Sequence, residues 1–293
     1  MKQTNFEKLY PGLGLAYYVL VLSLIILVKH PIELLILYIA VTASLIYRDY
    51  LMGEYLLRKK ILTYLLPLIF MLFTATINSM FRHYGFINLF QLSNGNYFTL
   101  DSVIDGAQGG FRLGLCVLWI KHLNEHISTN NLLFLFKGLF PGFALLLTLV
   151  FRFFPHYLNQ ARELIIVNKL SNEDKKLSIK AKFSNTANVL AKLSSWALES
   201  SINTAQYMQA RGLGISDKKT SYKLYKWRKN DSILLLIISV TMIGYFVMRT
   251  KGYLDFIYYP YTYVPEWQDL NFVMLIMLAL VAFLPLFVDM KEY

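Results

Sequence analysis

The sequence predicts an all-α, polytopic membrane protein with about six transmembrane helices and a cytoplasmic or interfacial helical region. Three observations carry this. Of 293 residues, 56% are hydrophobic and only 16% charged, whereas a soluble domain is nearer half apolar and about a quarter charged. The apolar runs are long and unalternated, which suits helices and not a barrel. The net charge is +11, and its basic residues crowd the middle of the chain, as in cytoplasmic loops of membrane proteins. That charge placement is a better account of the basic balance than nucleic-acid binding. The single cysteine, Cys116, offers no disulfide and no thiolate metal cluster.

Hydrophobic windows fall at roughly 13–28, 31–47, 61–80, 101–121, 132–151, 231–249 and 271–288. The first, "LAYYVLVLSLIILV" at 15–28, has the feel of a signal-peptide core. The chain then reads "KHPIELL" with no small-x-small cleavage pattern, so an uncleaved first span is expected. The segment 48–60 carries Arg48, Arg58, Lys59 and Lys60 and belongs inside, which places the N-terminus inside as well. The third window leads out to "RHYGFINLFQLSNGNYF". The fourth, with Gly106, Gly109, Gly110 and the in-span charge Arg112, leads back to "KHLNEH".

The fifth window does not cross. Lys137 interrupts it, and Gly138 and Pro141 break it into two short pieces. A full crossing would export the basic region 152–230. With six spans, 24 of the 29 basic residues lie inside, four outside and Arg112 within a span. Both termini are then cytoplasmic. The domains expected are 1–121, N-terminal spans; 122–230, interfacial and cytoplasmic helices; and 231–293, C-terminal spans. The tyrosine-rich loop 250–270 reads as an interfacial cap.

In the cytoplasmic middle, 143–170 is helical in period, with Pro155 expected to start or kink a helix. A polar turn is expected over 171–182. The stretch 183–211 runs without Gly or Pro, and Leu190, Ser194, Ala197, Leu198, Ser201 and Ala205 share a face that another helix can approach closely. Gly212 follows as a C-cap. "YLNQARE" at 157–163 is echoed by "YMQARGLG" at 207–214. A small Ala lets a helix press into a groove, and the Arg beside it is a planar, permanent fork for carboxylates. One such Arg is accounted for by the negative end of its helix dipole. Two in one region favour docking.

"ALESSINTAQYMQARGLG" (197–214), "KKTSYKLYKWRKNDSILLL" (218–236) and "ISTNNLLFLFKGLFPGFALLLTLVFRFFPHYLNQARE" (127–163) together resemble the transmembrane T component of energy-coupling factor transporters, the family that includes the cobalt-transport CbiQ proteins. The resemblance covers about 100–230 well and the N-terminal spans loosely. It implies a non-catalytic subunit of an ATP-driven importer for a vitamin or transition-metal ion, in the plasma membrane of a prokaryote. It implies two ABC ATPase subunits and a small membrane substrate-binding subunit as partners, with Ala161 and Arg162 as the first coupling motif and Ala210, Arg211 and Gly212 as the second. No cofactor, metal or nucleic acid is expected. Glu163 stands where the first motif usually has Gly, so the first helix is expected to run on into "LIIVNKL".

Two other classes compete with this reading. His122, Glu125 and His126 match H-x-x-E-H, an inverted zinc-protease pattern, without a clear third ligand. A secondary transporter wants buried ionisable groups and an internal repeat, and the sequence offers only Arg112. No G-x-x-x-x-G-K-[ST] occurs, so nucleotide hydrolysis would belong to another chain.

Overall fold

The computed structural model describes residues 6, 9–53, 57–83, 85, 87–91, 97–170, 179–213, 225–258 and 269–290. Among them helix dominates, with one two-stranded antiparallel hairpin, β1 (Asn88–Gln91) and β2 (Tyr97–Thr99). The helices are α1 (Pro11–Leu27), α2 (Pro31–Met52), α3 (Leu57–Tyr64), α4 (Leu66–Phe81), α5 (Leu100–His126), α6 (Thr129–Leu139), α7 (Pro141–Leu170), α8 (Ile179–Ala210), α9 (Lys229–Thr250), α10 (Asp269–Ala282) and α11 (Leu284–Met290). The all-α class is as the sequence predicts. Three helices, α2, α5 and α9, are long and apolar enough to cross a membrane, and α10 with α11 makes a fourth if the pair, bent by 49°, counts as one. The apolar helices α1 and α4 are shorter, at 17 and 16 residues. The third apolar window is two helices and not one, parted at Leu65 just before Pro67, which has no N–H to give a continuing helix. The fifth window breaks at Phe140, ahead of Pro141.

The chain forms two compact units, 1–132 with 225–293, and 133–224. In the first, α1, α2, α5, α9, α10 and α11 share a core built on Tyr17, Tyr18, Leu34, Leu37, Trp119 and Met274. Proline opens α1 and α2, where its missing N–H costs nothing and its fixed φ suits the first turn. In lipid, apolar burial alone gives helices little reason to associate, so close packing and interhelical hydrogen bonds hold the bundle.

The α4–α5 seam shows the close packing. Gly106, Gly110 and Gly114 recur every four residues on one face of α5, where backbone approaches backbone. A Cβ at Gly106 would lie 2.6 Å from Asn78 Cβ and 2.7 Å from the Thr74 carbonyl oxygen; one at Gly110 would lie 2.8 Å from the Phe70 carbonyl carbon. Thr74 Oγ1 donates across the seam to the Gly106 carbonyl (2.8 Å), and Asn78 Nδ2 to the Ser102 carbonyl (2.8 Å).

Hydrogen bonds tie the remaining helices. Tyr245 of α9 donates to Glu33 Oε1 of α2 at 2.7 Å, with both residues buried. Tyr17 of α1 donates to the Val281 carbonyl of α10 (3.0 Å). Arg112, inside α5, donates to the Val28 carbonyl at the end of α1 (2.6 Å). This carbonyl meets the charge that the sequence places within a span. Of the loop 250–270, only residues up to 258 and from 269 are described, so most of the expected aromatic cap lies outside the described residues, as do 171–178 and 214–224.

Candidate functional site

The second unit holds both Ala-Arg motifs. α7 and α8 pack as an antiparallel pair: Trp196 meets His156 and Tyr157, with ring centroids 5.1 and 5.5 Å apart. From that crossing, residues 146–154 of α7 run alongside 201–208 of α8. Between them lies an apolar groove of about 330 Å³, lined by Leu146, Val150, Phe153, Phe154, Ala205 and Met208 among others. Pro155 lies inside α7, so it does not start a helix; its missing N–H leaves the Phe151 carbonyl without its helical donor.

Arg162 follows Tyr157 by five residues toward one end of the pair. Arg211 follows Trp196 by fifteen, toward the other end. At 1.5 Å per residue, about 30 Å of helix separates them. Both are exposed, and neither has an ion-pair partner among the described residues. Glu163 is exposed too and does not pair with Arg162, since neighbours in sequence do not face each other on a helix. Ala161 is half-buried and Ala210 exposed.

The two motifs end differently. α7 runs through Arg162 to Leu170, as Glu163 in place of Gly led one to expect, so the first motif lies within a helix and not at its end. α8 stops at Ala210. There Gly212 takes φ +85°, its N–H bonds to the Gln209 carbonyl (2.9 Å), and the Leu213 N–H bonds to the Met208 carbonyl (3.0 Å). This Schellman closure needs a residue at ease with positive φ, and it sets Arg211 on the final turn. The tyrosines differ as well: Tyr157 is packed on Trp196, whereas Tyr207 is 70% exposed.

The face of α8 that is least exposed carries Val189, Leu193, Trp196, Ser200, Thr204 and Met208. It lies one residue aside from the small-residue face read from the sequence. Leu190, Ser194, Leu198, Ser201 and Ala205 are all exposed, and Ala197 half-buried. Trp196 sets the difference, since its ring claims the α7 contact.

In the first unit, α1, α2, α5 and α11 enclose a polar knot. The His122 ring nitrogens face two hydroxyls, Nδ1 that of Tyr18 (2.7 Å) and Nε2 that of Ser44 (2.8 Å). His126 stacks on His122 with centroids 4.1 Å apart, and its Nδ1 lies 2.9 Å from the His122 carbonyl. Its Nε2 faces Asp289 Oδ2 at 3.7 Å, and Asp289 Oδ1 accepts from the Phe6 N–H (2.7 Å). Glu125 receives Arg48 at 3.1 Å and Lys121 at 3.6 Å. Both His122 nitrogens are therefore engaged, and the Glu125 carboxylate is paired with two cations. Among the described residues no three His, Cys, Asp or Glu side chains stand together as a metal-binding group. Sequence reading missed this knot, as it missed the buried Glu33–Tyr245 pair. Its one sequence signal is the H-x-x-E-H spacing, which puts His122 and His126 on one helix face.

At the far ends of α1 and α9, His30 caps α2 with Nδ1 accepting from the Ile32 N–H (3.3 Å). Burial, and then the nearby Arg249 guanidinium, hold its imidazole below the usual histidine range. Tyr258 donates to the Lys29 carbonyl (2.8 Å), and burial pushes its phenol up.

Fold and site define an all-α chain with helices long and apolar enough to cross a membrane and a helical hairpin that carries two exposed arginines. Comparison with known protein families and with characterised proteins finds no match for it.

Proposed function

We propose that the chain is the transmembrane coupling subunit of an importer of the energy-coupling factor type, serving a vitamin or transition-metal ion. The observation that carries the proposal is the α7–α8 hairpin. Its two arginines are exposed, have no ion-pair partner among the described residues, and lie about 30 Å apart along one pair of helices. That spacing suits two separate docks, one on each member of an ATPase pair. The resemblance over 100–230 supplies the same assignment: Ala161 and Arg162 at one dock, Ala210, Arg211 and Gly212 at the other.

Six spans complete the topology. They are α1, α2, α3 with α4, α5, α9, and α10 with α11, with both termini and the hairpin on the cytoplasmic side of a prokaryotic plasma membrane. Closure of the ATPases on nucleotide moves the two docks, and the hairpin follows as a rigid body. Its exposed stripe of Leu190, Ser194, Leu198, Ser201 and Ala205 then shifts a small membrane partner that holds the substrate. The chain performs no catalysis and takes no cofactor. The second dock is the stronger, because its helix ends at the motif and presents Arg211 from a terminal turn, while Arg162 projects from a continuing helix beside Glu163.

The test is co-purification with an ABC ATPase pair, together with substrate uptake in vesicles. Removing one partner of a buried charge-assisted pair costs about 2–5 kcal/mol. Arg211→Ala should therefore release the ATPases or uncouple hydrolysis from uptake, with membrane insertion intact. Arg211→Lys should rescue only in part, since the fork is lost. Full uptake and full ATPase retention in an Arg162→Ala, Arg211→Ala double variant would refute the assignment.

A further inference from the structure

Six of the described cations of the first unit have acidic partners. Lys29 and Arg249 meet Asp255, Arg48 and Lys121 meet Glu125, Lys60 meets Asp49, and Arg82 meets Asp105. Arg112 has a backbone carbonyl. Among the described residues Lys251 lacks one singly, whereas Lys226, Arg228 and Lys229 lack one as a cluster. They lie within four residues at the start of α9, are all exposed, and have no acidic partner among the described residues. The nearest acid in sequence, Asp231, is turned inward: it is 1% exposed, and its Oδ2 accepts from the Arg228 N–H at 2.9 Å. Positive charge is thus left on the outside of a span's first turn.

Trp227 sits among these three. Its Nε1 donates to Ser232 Oγ (2.6 Å), and its ring meets Tyr10 edge-on at 5.0 Å. Next to it, Tyr225 donates to Asn131 Oδ1 at 2.6 Å. The indole is therefore fixed, yet 48% of it stays exposed. Below this collar α9 carries Ile233, Leu236, Val240 and Ile243, all more than half exposed, at spacings of three and four. They form a single apolar stripe running down from the collar.

We propose that the start of α9 is a binding site for an anionic phospholipid in the leaflet that this end of the helix meets. Lys226, Arg228 and Lys229 hold the headgroup phosphate, Trp227 shelves the glycerol region, and an acyl chain follows Ile233, Leu236, Val240 and Ile243. The apolar stripe selects a lipid over a soluble phosphate, because only an amphiphile fills both halves. Clustered basic residues beside a span attract anionic headgroups, and a fixed tryptophan suits the headgroup depth. This site does not depend on the proposed coupling role.

The full chain in a neutral detergent is titrated with phosphatidylglycerol and with phosphatidylcholine, and bound lipid is counted by native mass spectrometry. Each basic residue near an anionic surface is worth about a fivefold change, so phosphatidylglycerol should be preferred by about tenfold or more. A Lys226→Gln, Arg228→Gln, Lys229→Gln variant should lose that preference. A Lys175→Gln, Lys176→Gln, Lys180→Gln variant, which removes the same charge elsewhere, should keep it. Equal loss in both variants, or no preference in the native chain, would overturn the proposal. So would displacement of the lipid by millimolar inorganic phosphate. If the first variant is not recovered folded, the native chain decides. Its preference must fall as salt rises from 50 to 500 mM, and a preference indifferent to salt refutes the site.

Discussion

Gly110→Ala gives the sharpest test of the α4–α5 seam, with Gly109→Ala as its control. The two glycines are adjacent in the same helix, so intrinsic propensity favours alanine at both by about 1 kcal/mol. Their surroundings differ. A Cβ at Gly109 meets nothing within 4 Å. A Cβ at Gly110 meets the Thr74 side chain and the Phe70 backbone, whose carbonyl carbon lies at 2.8 Å. Backbone cannot rotate aside as a side chain can, so the helices must part by several tenths of an ångström. Parting them stretches the Thr74–Gly106 hydrogen bond, now 2.8 Å, and overpacking of this kind costs about 1–3 kcal/mol. Gly109→Ala should gain up to about 1 kcal/mol; that gain is common to both positions, so the gap between the variants is the overpacking cost, about 1–3 kcal/mol. For a unit of this size that is a difference of about 2–12 °C in Tm, read by thermal unfolding in detergent. Equal Tm values for the two alanine variants would refute the seam.

Other expectations follow from the polar contacts. Tyr18→Phe leaves His122 Nδ1 buried without its hydroxyl and should destabilise the first unit by about 1–3 kcal/mol; unfolding at the native temperature would mean that this bond contributes nothing. His30 supplies a pH signature. Its pKa is depressed in the fold, so its contribution to stability is present above its ordinary value of about 6.5 and lost as pH falls through the folded value. Unfolding temperatures measured from pH 7.5 to 5 should drop for the native chain and drop less for His30→Gln, which cannot take up a proton.

The helices were legible where the physics is local. Apolar runs of span length, Pro141 and Gly212 mark element ends by backbone rules that act within a few residues. The passage of α7 through its motif was legible from the exchange of a glycine for Glu163. The α8 face was misplaced by one residue, because small side chains permit contact but do not demand it, and the bulky Trp196 decided which side turned to α7. The polar knot was not legible. It joins residues from α1, α2, α5 and α11, and its hydrogen bond of greatest sequence separation spans 283 positions, from Phe6 to Asp289. No local pattern forecasts that His122 finds two hydroxyls, or that Glu33 finds Tyr245 and not water.

The bond from Tyr225 to Asn131 has a consequence for how the protein was built and how it can be rebuilt. These residues stand where the chain departs for its second unit and where it returns, and the 2.6 Å bond draws the two points together. A unit plugged in through neighbouring points is interchangeable: residues 133–224 can be cut out and the gap spanned by a few glycines and serines, or filled with a different hairpin. What remains would keep its own core, so the helical bundle can accept a different attachment without being redesigned.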